Sequence, residues 1–376
     1  MNPLVIAATG ACTPIGTRAW QTGCGFTARQ SSFTRQAITG QAEHRATVSR
    51  VQAIDAACKG TERLIRLAAP ALHEALRGQP APAAGWPLQR PIPLFVALPG
   101  SLPELPGWID AGRFALELPR ALDLAAEFLP IKVYPGGAVA GADALSQAYR
   151  FMHDNPSVPE VIIGGVDSFV DTEIADVLYQ RRWAKVNGVC EGFIASEGAA
   201  FVRLSRKPAT ADFVTVYPPF FADEPRSRLD SDTLPDGRAL IEASHGALKA
   251  AHMPVNALHS YWSDMDGSAW RGAELASLSA ALASQGGLPQ AQDPAALLGQ
   301  MGAAWAPLML SLFHEMRQWL THPVMPSPLA GHAGLLTVTG LNTRVAAWSA
   351  TWNRHACTAG RSSAAGRRQS PISQES

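Results

Sequence analysis

The sequence predicts an α/β protein whose mainly parallel sheet is covered by helices. Short apolar segments with strand-like composition alternate with segments whose apolar residues recur at helical spacing, and this alternation is typical of such a sheet. A second series of the same kind starts after residue 207, which indicates an internal duplication. We therefore expect two halves, residues 1–207 and 208–353, and a polar tail at 354–376 that is disordered.

In the first half, the clearest helix is TERLIRLAAPALHEAL at 61–76, because its apolar residues share one face at 3.6 residues per turn. Strands are indicated by short apolar runs that end at glycine or proline, as in PLFVALPG at 93–100. The predicted strands of this half are 4–8, 93–100, 131–135, 160–168 and 197–206, and further helices are predicted near 117–128 and at about 138–155.

The second half repeats the alternation with the same kinds of segment. DFVTVYPP at 212–219 has the composition of a strand, and DGRALIEASHGALKAAH at 236–252 has helical periodicity. A strand followed by a loop is predicted at 256–267, further helices at 273–283 and about 295–320, and two closing strands at 334–340 and 343–350.

The composition favours a protein with a large core and without a highly charged partner. Of 376 residues, 47% are hydrophobic and 16% are charged, and the formal net charge is zero. This balance provides no basic field for nucleic acid. The chain has no apolar run of membrane-spanning length and no signal-peptide pattern, and its five cysteines are scattered without a CxxC pair. We expect a cytoplasmic protein without a membrane, nucleic-acid, metal or cofactor site.

Two glycine-containing turns resemble phosphate-binding motifs, but each lacks residues that its motif requires. TGACTPIG at 9–16 resembles the dinucleotide turn of short-chain dehydrogenases, but Pro14 replaces the central glycine, and no tyrosine is followed by lysine four residues later. VYPGGAVAG at 133–141 lacks the GK[ST] ending of a phosphate loop. Small residues at a crowded helix start explain the second turn better.

Five segments, in order, carry a resemblance to β-ketoacyl synthases. AVAGADALSQAYRF at 138–151 resembles the family's nucleophile-elbow helix, A-C-x-S-[SG]-x-x-A-L-x-x-A, and EVIIGGVDS at 160–168 resembles the next strand. The other three segments are VIAATGACTPIGTRAW at 5–20, GFIASEGAAFVRLSR at 192–206 and GQMGAAWAPLML at 299–310. The resemblance implies the thiolase fold, in which duplicated βαβαβαββ halves form a five-layered αβαβα sandwich.

The same resemblance implies a site without the catalytic side chains of the family. Ketosynthases carry a nucleophilic cysteine at the start of the elbow helix, assisted by two histidines and a lysine. The resemblance places Ala138 at the cysteine, Asp266 and Gln300 at the two histidines, and Ala295 near the lysine. We therefore predict that the chain is not an enzyme. The expected pocket-lining residues are Gly136, Gly137, Ala138, Asp266, Gln300 and Gly340.

Other reactive side chains do not take the place of the missing catalytic cysteine, histidines and lysine. Cys12, Cys190 and His259 all lie away from the elbow, and each is explained as an ordinary small or satisfied buried residue. Asp264 and Asp266 would suit an acid/base or metal pair. Because no third ligand follows at a suitable spacing, we expect them to be solvated loop carboxylates.

The resemblance also implies a dimer. In the thiolase fold, the strand beside the elbow strand and the elbow helix usually lie at a two-fold interface. We expect the IKVYPGG segment at 131–137 to form the corresponding edge of a homodimer or heterodimer.

Three functions are compatible with these observations. The segment at 61–76 also resembles small thiolase-like proteins that accompany type VI secretion effectors, which implies an accessory chaperone or adaptor whose partner is an effector or its adaptor. Alternatively, the chain resembles a chain-length factor, the inactive partner that shapes the acyl tunnel of a ketosynthase heterodimer and works with an acyl carrier protein. An acyltransferase or hydrolase without an elbow cysteine is the third. Candidate protein-binding tryptophans near loops are Trp86, Trp108, Trp183 and Trp270.

Overall fold

The computed structural model describes residues 2–77, 90–188, 191–210, 212–228, 233–320 and 332–354. The predicted tail from residue 355 onward, Trp86 and Cys190 lie outside these described residues. The strands are β1 (Leu4–Cys12), β2 (Phe33–Ile38), β3 (Gln41–Ser49), β4 (Leu94–Leu98), β5 (Ile131–Pro135), β6 (Glu160–Ser168), β7 (Glu197–Ser205), β8 (Asp212–Val216), β9 (Phe220–Asp223), β10 (Ser260–Ser263), β11 (Ala291–Gln292), β12 (Ala333–Thr339) and β13 (Arg344–Arg354). The α-helices are α1 (Ala19–Thr27), α2 (Gly60–Arg77), α3 (Ala111–Arg120), α4 (Ala140–Asp154), α5 (Thr172–Gln180), α6 (Arg238–Ala250), α7 (Ala269–Leu282), α8 (Ala295–Leu298) and α9 (Trp305–Leu320).

The two halves of the chain build half-sheets with the same topology. The first half-sheet has the strand order β1-β7-β6-β4-β5, and the second has the equivalent order β8-β13-β12-β10-β11. In each half, the strand next to the edge, β4 or β10, runs parallel to both of its neighbours, and the remaining pairs along these two orders are antiparallel. The halves join where β1 pairs with β8. This repeated order is the duplication that the sequence predicts.

The helices form layers on both sides of these half-sheets. Helices α2 and α3 pack on the outer face of the first half-sheet, and α6 and α7 pack on the outer face of the second. Helices α1, α4 and α9 lie between the half-sheets, in the largest apolar core. The resulting order is helix, sheet, helix, sheet, helix. Among the described helices, none is long and apolar enough to cross a membrane.

Two predicted helices have different bounds in the structure. The helix predicted near 117–128 lies at Ala111–Arg120, because Asp110 caps its N-terminus by accepting a hydrogen bond from the Arg113 amide at 2.8 Å. The helix predicted at about 295–320 is broken between α8 and α9. Gly299 and Gly302 lie there with φ values of +79° and +47°, a conformation that few other residues adopt.

The β2–β3 hairpin was not predicted, because its sequence is polar and lacks the regular alternation of a half-buried strand. It packs with α5 and with residues 183–188 and 191–195 in a separate apolar cluster. Phe169 and Phe193 of this cluster line the candidate site described next, so we refer to β2, β3, α5 and residues 183–188 and 191–195 as the cap.

Candidate functional site

The elbow predicted from VYPGGAVAG is present and consists of small residues. After β5, the Gly136 amide donates a hydrogen bond to the Leu98 carbonyl oxygen at 3.2 Å, and Gly137 adopts a φ of +70°. A 3-10 turn at Gly137–Val139 then leads into α4. The backbone also approaches Gly100, where a Cβ atom would lie 3.5 Å from the Gly136 carbonyl carbon. Ala138 therefore presents a methyl group at the start of the helix, where the resemblance implies a thiol.

A cavity of about 220 Å³ lies at this elbow, at the carboxyl ends of β10 and β12 and beneath the cap. Ala295 does not line it, because its side chain lies in the central core on α8. All six predicted pocket residues do line it: Gly136, Gly137, Ala138, Asp266, Gln300 and Gly340.

The expectation that Asp264 and Asp266 are solvated is wrong. The side chain of Asp266 is only 1% exposed, and its Oδ2 atom accepts a hydrogen bond from Arg228 Nη1 at 2.7 Å. Its Oδ1 atom accepts hydrogen bonds from the Ser268 amide at 3.0 Å and the Ser268 hydroxyl at 2.6 Å. Burial alone would raise the pKa of Asp266, but Arg228 and Ser268 hold that pKa below its ordinary value. The carboxylate is thus a fixed anion inside the protein.

Asp264 belongs to a second buried ion pair. It contacts the Arg271 guanidinium, and its Oδ2 atom accepts a hydrogen bond from the Thr339 amide at 3.1 Å. Arg271 also contacts Glu274 and the Thr339 hydroxyl. Burial raises the pKa of Asp264 to about 6, although Arg271 opposes this effect. The pairing joins the loop after β10 to α7 and to the end of β12.

Gln300 is held by internal hydrogen bonds. Its Oε1 atom accepts hydrogen bonds from the Gly302 amide at 3.0 Å and from the Trp305 indole N–H. Its backbone carbonyl accepts a hydrogen bond from the Ser196 amide at 3.1 Å. The side chain therefore stabilises the break that precedes α9, and it offers no imidazole to the cavity.

Asp167 is a buried carboxylate that the sequence analysis did not single out. It lies on β6, where its Oδ2 atom accepts a hydrogen bond from the Ala303 amide at 2.9 Å, and its Oδ1 atom accepts one from the Ser168 amide at 2.8 Å. A Cβ atom at position 302 would lie 2.0 Å from Oδ2, so this contact requires Gly302. Burial raises the pKa of Asp167 to about 7, and the two amides only partly offset this.

The raised pKa of Asp167 predicts a specific dependence of stability on pH. Its pKa in the folded chain exceeds its unfolded value of about 4, so its contribution to stability is complete below that pH and is lost as the pH rises through about 7. We expect Asp167→Asn to remove a slope of up to about 1.4 kcal/mol per pH unit in this window. Urea unfolding of both proteins at several pH values measures the difference. Parallel curves for wild type and variant would contradict the assignment.

Aromatic side chains form much of the remaining cavity wall. Trp108, Phe169, Phe193 and Trp270 line it, and Trp183 lies behind Phe193 and Arg228. Trp183 and Trp270 are buried rather than displayed on the surface. The prediction that these tryptophans mark a surface for a protein partner is therefore wrong for Trp183 and Trp270, because both side chains are buried within the fold.

The other reactive side chains lie away from the cavity wall. Cys12 is buried on β1, and burial raises the pKa of its thiol to about 12, so it is protonated at neutral pH. His259 precedes β10 at the strand end opposite to Asp264, where its ring packs against His332. No cluster of three or more metal-binding side chains occurs in the described part of the chain.

Sequence reasoning missed both cavity arginines. Arg271 carried a usable signal, because it lies three residues before Glu274 near the start of a helix, a spacing that suits an ion pair. Arg228 carried none, because it lies 38 residues before Asp266 in an irregular segment. Only the fold brings Arg228 and Asp266 together.

Solved structures share this fold over nearly the whole chain. The ketosynthase ApeO in complex with its chain length factor ApeC from Xenorhabdus doucetiae matches with a TM-score of 0.73 and 14% identity, over 93% of this chain and 98% of that chain. The ishigamide ketosynthase/chain length factor matches at 0.66 and 18%, over 94% and 99%. The AntDE:AntF complex, a type II acyl-carrier protein with its ketosynthase bound to the hexaketide, matches at 0.71 and 12%, over 94% and 99%.

No protein-family model and no curated protein matches the chain. The structural likeness nevertheless establishes the fold class. The chain has the mixed α/β thiolase fold of ketosynthase structures, as the five sequence segments predict. At these identities the likeness concerns the fold alone.

Proposed function

We propose that the chain is a non-catalytic subunit of a ketosynthase-like heterodimer and that it shapes an acyl cavity, as the resemblance to chain-length factors implies. The observation that carries this proposal is the elbow. Gly136, Gly137 and Ala138 line the cavity where an acylated thiol would have to stand, and a methyl group cannot form a thioester.

The neighbouring positions support the same proposal. Asp266 and Gln300, which the resemblance places at the two histidines, are each held by hydrogen bonds to other parts of the fold. The Gln300 amide does not exchange protons as an imidazole does, and the ionised Asp266 carboxylate cannot donate a hydrogen bond to an enolate oxygen. The cavity is retained, whereas the groups that would promote condensation are replaced by structural contacts.

The edge strand β5 is the proposed dimer surface. Among the described strands it pairs only with β4, so its other edge carries unpaired backbone groups that another strand can bind. Because β5 leads directly into Gly136 and Gly137, a subunit bound at this edge would lie beside the cavity wall. Solved structures with this fold include a ketosynthase with its chain length factor and one with an acyl-carrier protein, which supports partners of these classes.

The test is a gentle affinity purification from the native cell, followed by identification of the co-purified proteins and incubation of the complex with acyl-carrier-protein thioesters. We expect a thiolase-fold partner with an elbow cysteine to co-purify. Intact-mass spectra should place the acyl group on that partner and leave this chain unmodified. An acyl adduct on this chain, or a complex without a thiolase-fold chain, would overturn the proposal.

A matched pair of variants tests the edge itself. The Gly136 amide bonds to β4, so by alternation the Val133 amide points to the open edge. Val133→Pro removes that donor and should abolish dimer formation in size-exclusion chromatography, whereas Val133→Thr keeps the donor and should dimerise normally. Equal dimerisation of both variants would exclude this edge.

The accessory-protein hypothesis rests on the sequence of α2 alone. The apolar residues of that helix, including Leu64, Leu67, Leu72 and Ala75, are buried in the outer core against the first half-sheet. Packing accounts for this composition, so α2 gives no separate support for a secretion effector as partner. Recovery of an effector or its adaptor in the same purification would favour that hypothesis instead.

A further inference from the structure

Arg228 gives the cavity a hydrogen-bond donor that the elbow does not explain. Its side chain is 10% exposed and lines the cavity, and its guanidinium lies 5.7 Å from the centre of the Phe193 ring and 5.9 Å from that of Trp183. Among the described residues, it donates one hydrogen bond, from Nη1 to Asp266. A guanidinium has five N–H groups, and no bond to another described residue occupies the other four, so they can serve a molecule in the cavity.

The charges around the cavity disfavour a charged ligand. Arg228 is paired with Asp266, and Arg271 with Asp264 and Glu274, so in the described part of the chain three carboxylates face two guanidiniums. A bound carboxylate would add a fourth anion to this buried group. A bound ammonium would have to approach two arginines and would find both cavity aspartates already hydrogen-bonded. A neutral ligand avoids both costs.

The remaining wall suits an apolar body. Trp108, Phe169, Phe193 and Trp270 line the cavity together with Leu102 and Leu341. Its volume of about 220 Å³ equals that of roughly seven liquid water molecules, which is enough for a bonded chain of about eight carbon atoms. Such a wall with one polar donor group is the usual composition of a small-molecule site.

We infer that the cavity binds a neutral, mostly apolar molecule with a carbonyl group, without a covalent bond, and that Arg228 donates a hydrogen bond to the carbonyl oxygen. The inference rests on the proposed function for the source of such a ligand, an acyl chain presented by a partner. Binding itself requires only this chain, so it can be measured without any partner.

The experiment is calorimetric titration of the isolated full-length chain with molecules of equal length and different head groups. We expect octanamide and octan-2-one to bind, and octanoate and octylamine to bind at least about tenfold more weakly, a difference of about 1.4 kcal/mol. Tighter binding of octanoate than of octanamide would overturn the inference and identify an anion site. Absence of binding by both octanamide and octan-2-one would also overturn it.

Matched variants separate the role of Arg228 from general packing. Arg228→Lys keeps a positive charge beside Asp266 but loses the forked donors, so it should weaken octanamide binding at least about fivefold. The control is Arg181→Lys, because Arg181 also stacks on Trp183 but pairs with Glu104 away from the cavity wall. Should Arg228→Lys fail to fold, Ala138→Leu fills the cavity from the elbow and should abolish binding. Unchanged affinity in whichever variant folds would contradict the inference.

Discussion

Replacement of Arg271 by methionine is expected to lower the free energy of unfolding by about 3–5 kcal/mol. The side chain is 4% exposed and holds Asp264 and Glu274, both almost fully buried. Methionine keeps most of the volume but leaves two carboxylates without a counter-ion, and removal of one partner from a buried ion pair is far more costly than loss of the pair as a whole. Urea unfolding at pH 7.5 measures the change.

The pH dependence and two further variants make this prediction specific. Because burial raises the pKa of Asp264, protonation relieves part of the uncompensated charge, and the destabilisation should be smaller at pH 5. Adding Asp264→Asn to Arg271→Met should recover part of the loss for the same reason. The control is Arg113→Met, whose pair with Glu117 is exposed to solvent and should therefore change the free energy of unfolding far less. A loss below about 1 kcal/mol for Arg271→Met would contradict the assigned network.

Substitution of Gly165 by alanine is expected to destabilise the fold by about 3 kcal/mol and to distort the cavity wall. Gly165 lies on β6 beneath the start of α9, where a Cβ atom would lie 2.0 Å from the Ala303 carbonyl oxygen and 3.1 Å from the Ala304 Cα atom. These are backbone atoms, so the clash is relieved only by moving α9 away from the sheet. That movement would displace Gln300 and Gly302, which line the cavity.

A second glycine provides the control for Gly165. Gly272 lies in α7 with no atom within 4 Å of a Cβ at that position, so Gly272→Ala should stabilise the protein by up to about 1 kcal/mol. Thermal unfolding of the two variants side by side measures opposite shifts. Equal shifts would show that backbone freedom, rather than the contact with α9, determines the outcome at Gly165.

These two variants also test how the site is held. Arg271 holds the loop after β10 through its ion pair with Asp264. Gly165 has no side chain, so the backbone at Ala303, before α9, can pack directly on β6. Arg271 lines the cavity directly, whereas Gly165 supports the segment that carries the lining residues Gln300 and Gly302. The destabilising variants should therefore also weaken ligand binding, whereas the control variants should leave it unchanged.

The elbow and the strands around it could be predicted from the sequence. Short apolar runs bounded by turn residues predicted β5 and β6 at their observed bounds, 131–135 and 160–168, because such runs are local signals in the sequence. The resemblance placed Gly136, Gly137 and Ala138 at the elbow by motif. The cap hairpin β2–β3 could not be predicted in this way, because its polar strands are ordered by packing on α5 and on residues 183–188 and 191–195.

The sequence by itself determined the alternation of strands and helices, its repetition, and the residue types at the elbow, because each depends on neighbours within a few turns of the chain. Only the tertiary structure decided the state of the charged residues. Asp264 and Asp266 have the composition of a solvated loop, yet they are buried because Arg271 and Arg228 meet them there. Whether a carboxylate is solvated or paired depends on the groups that long-range folding brings within hydrogen-bond distance, and local composition does not encode that distance.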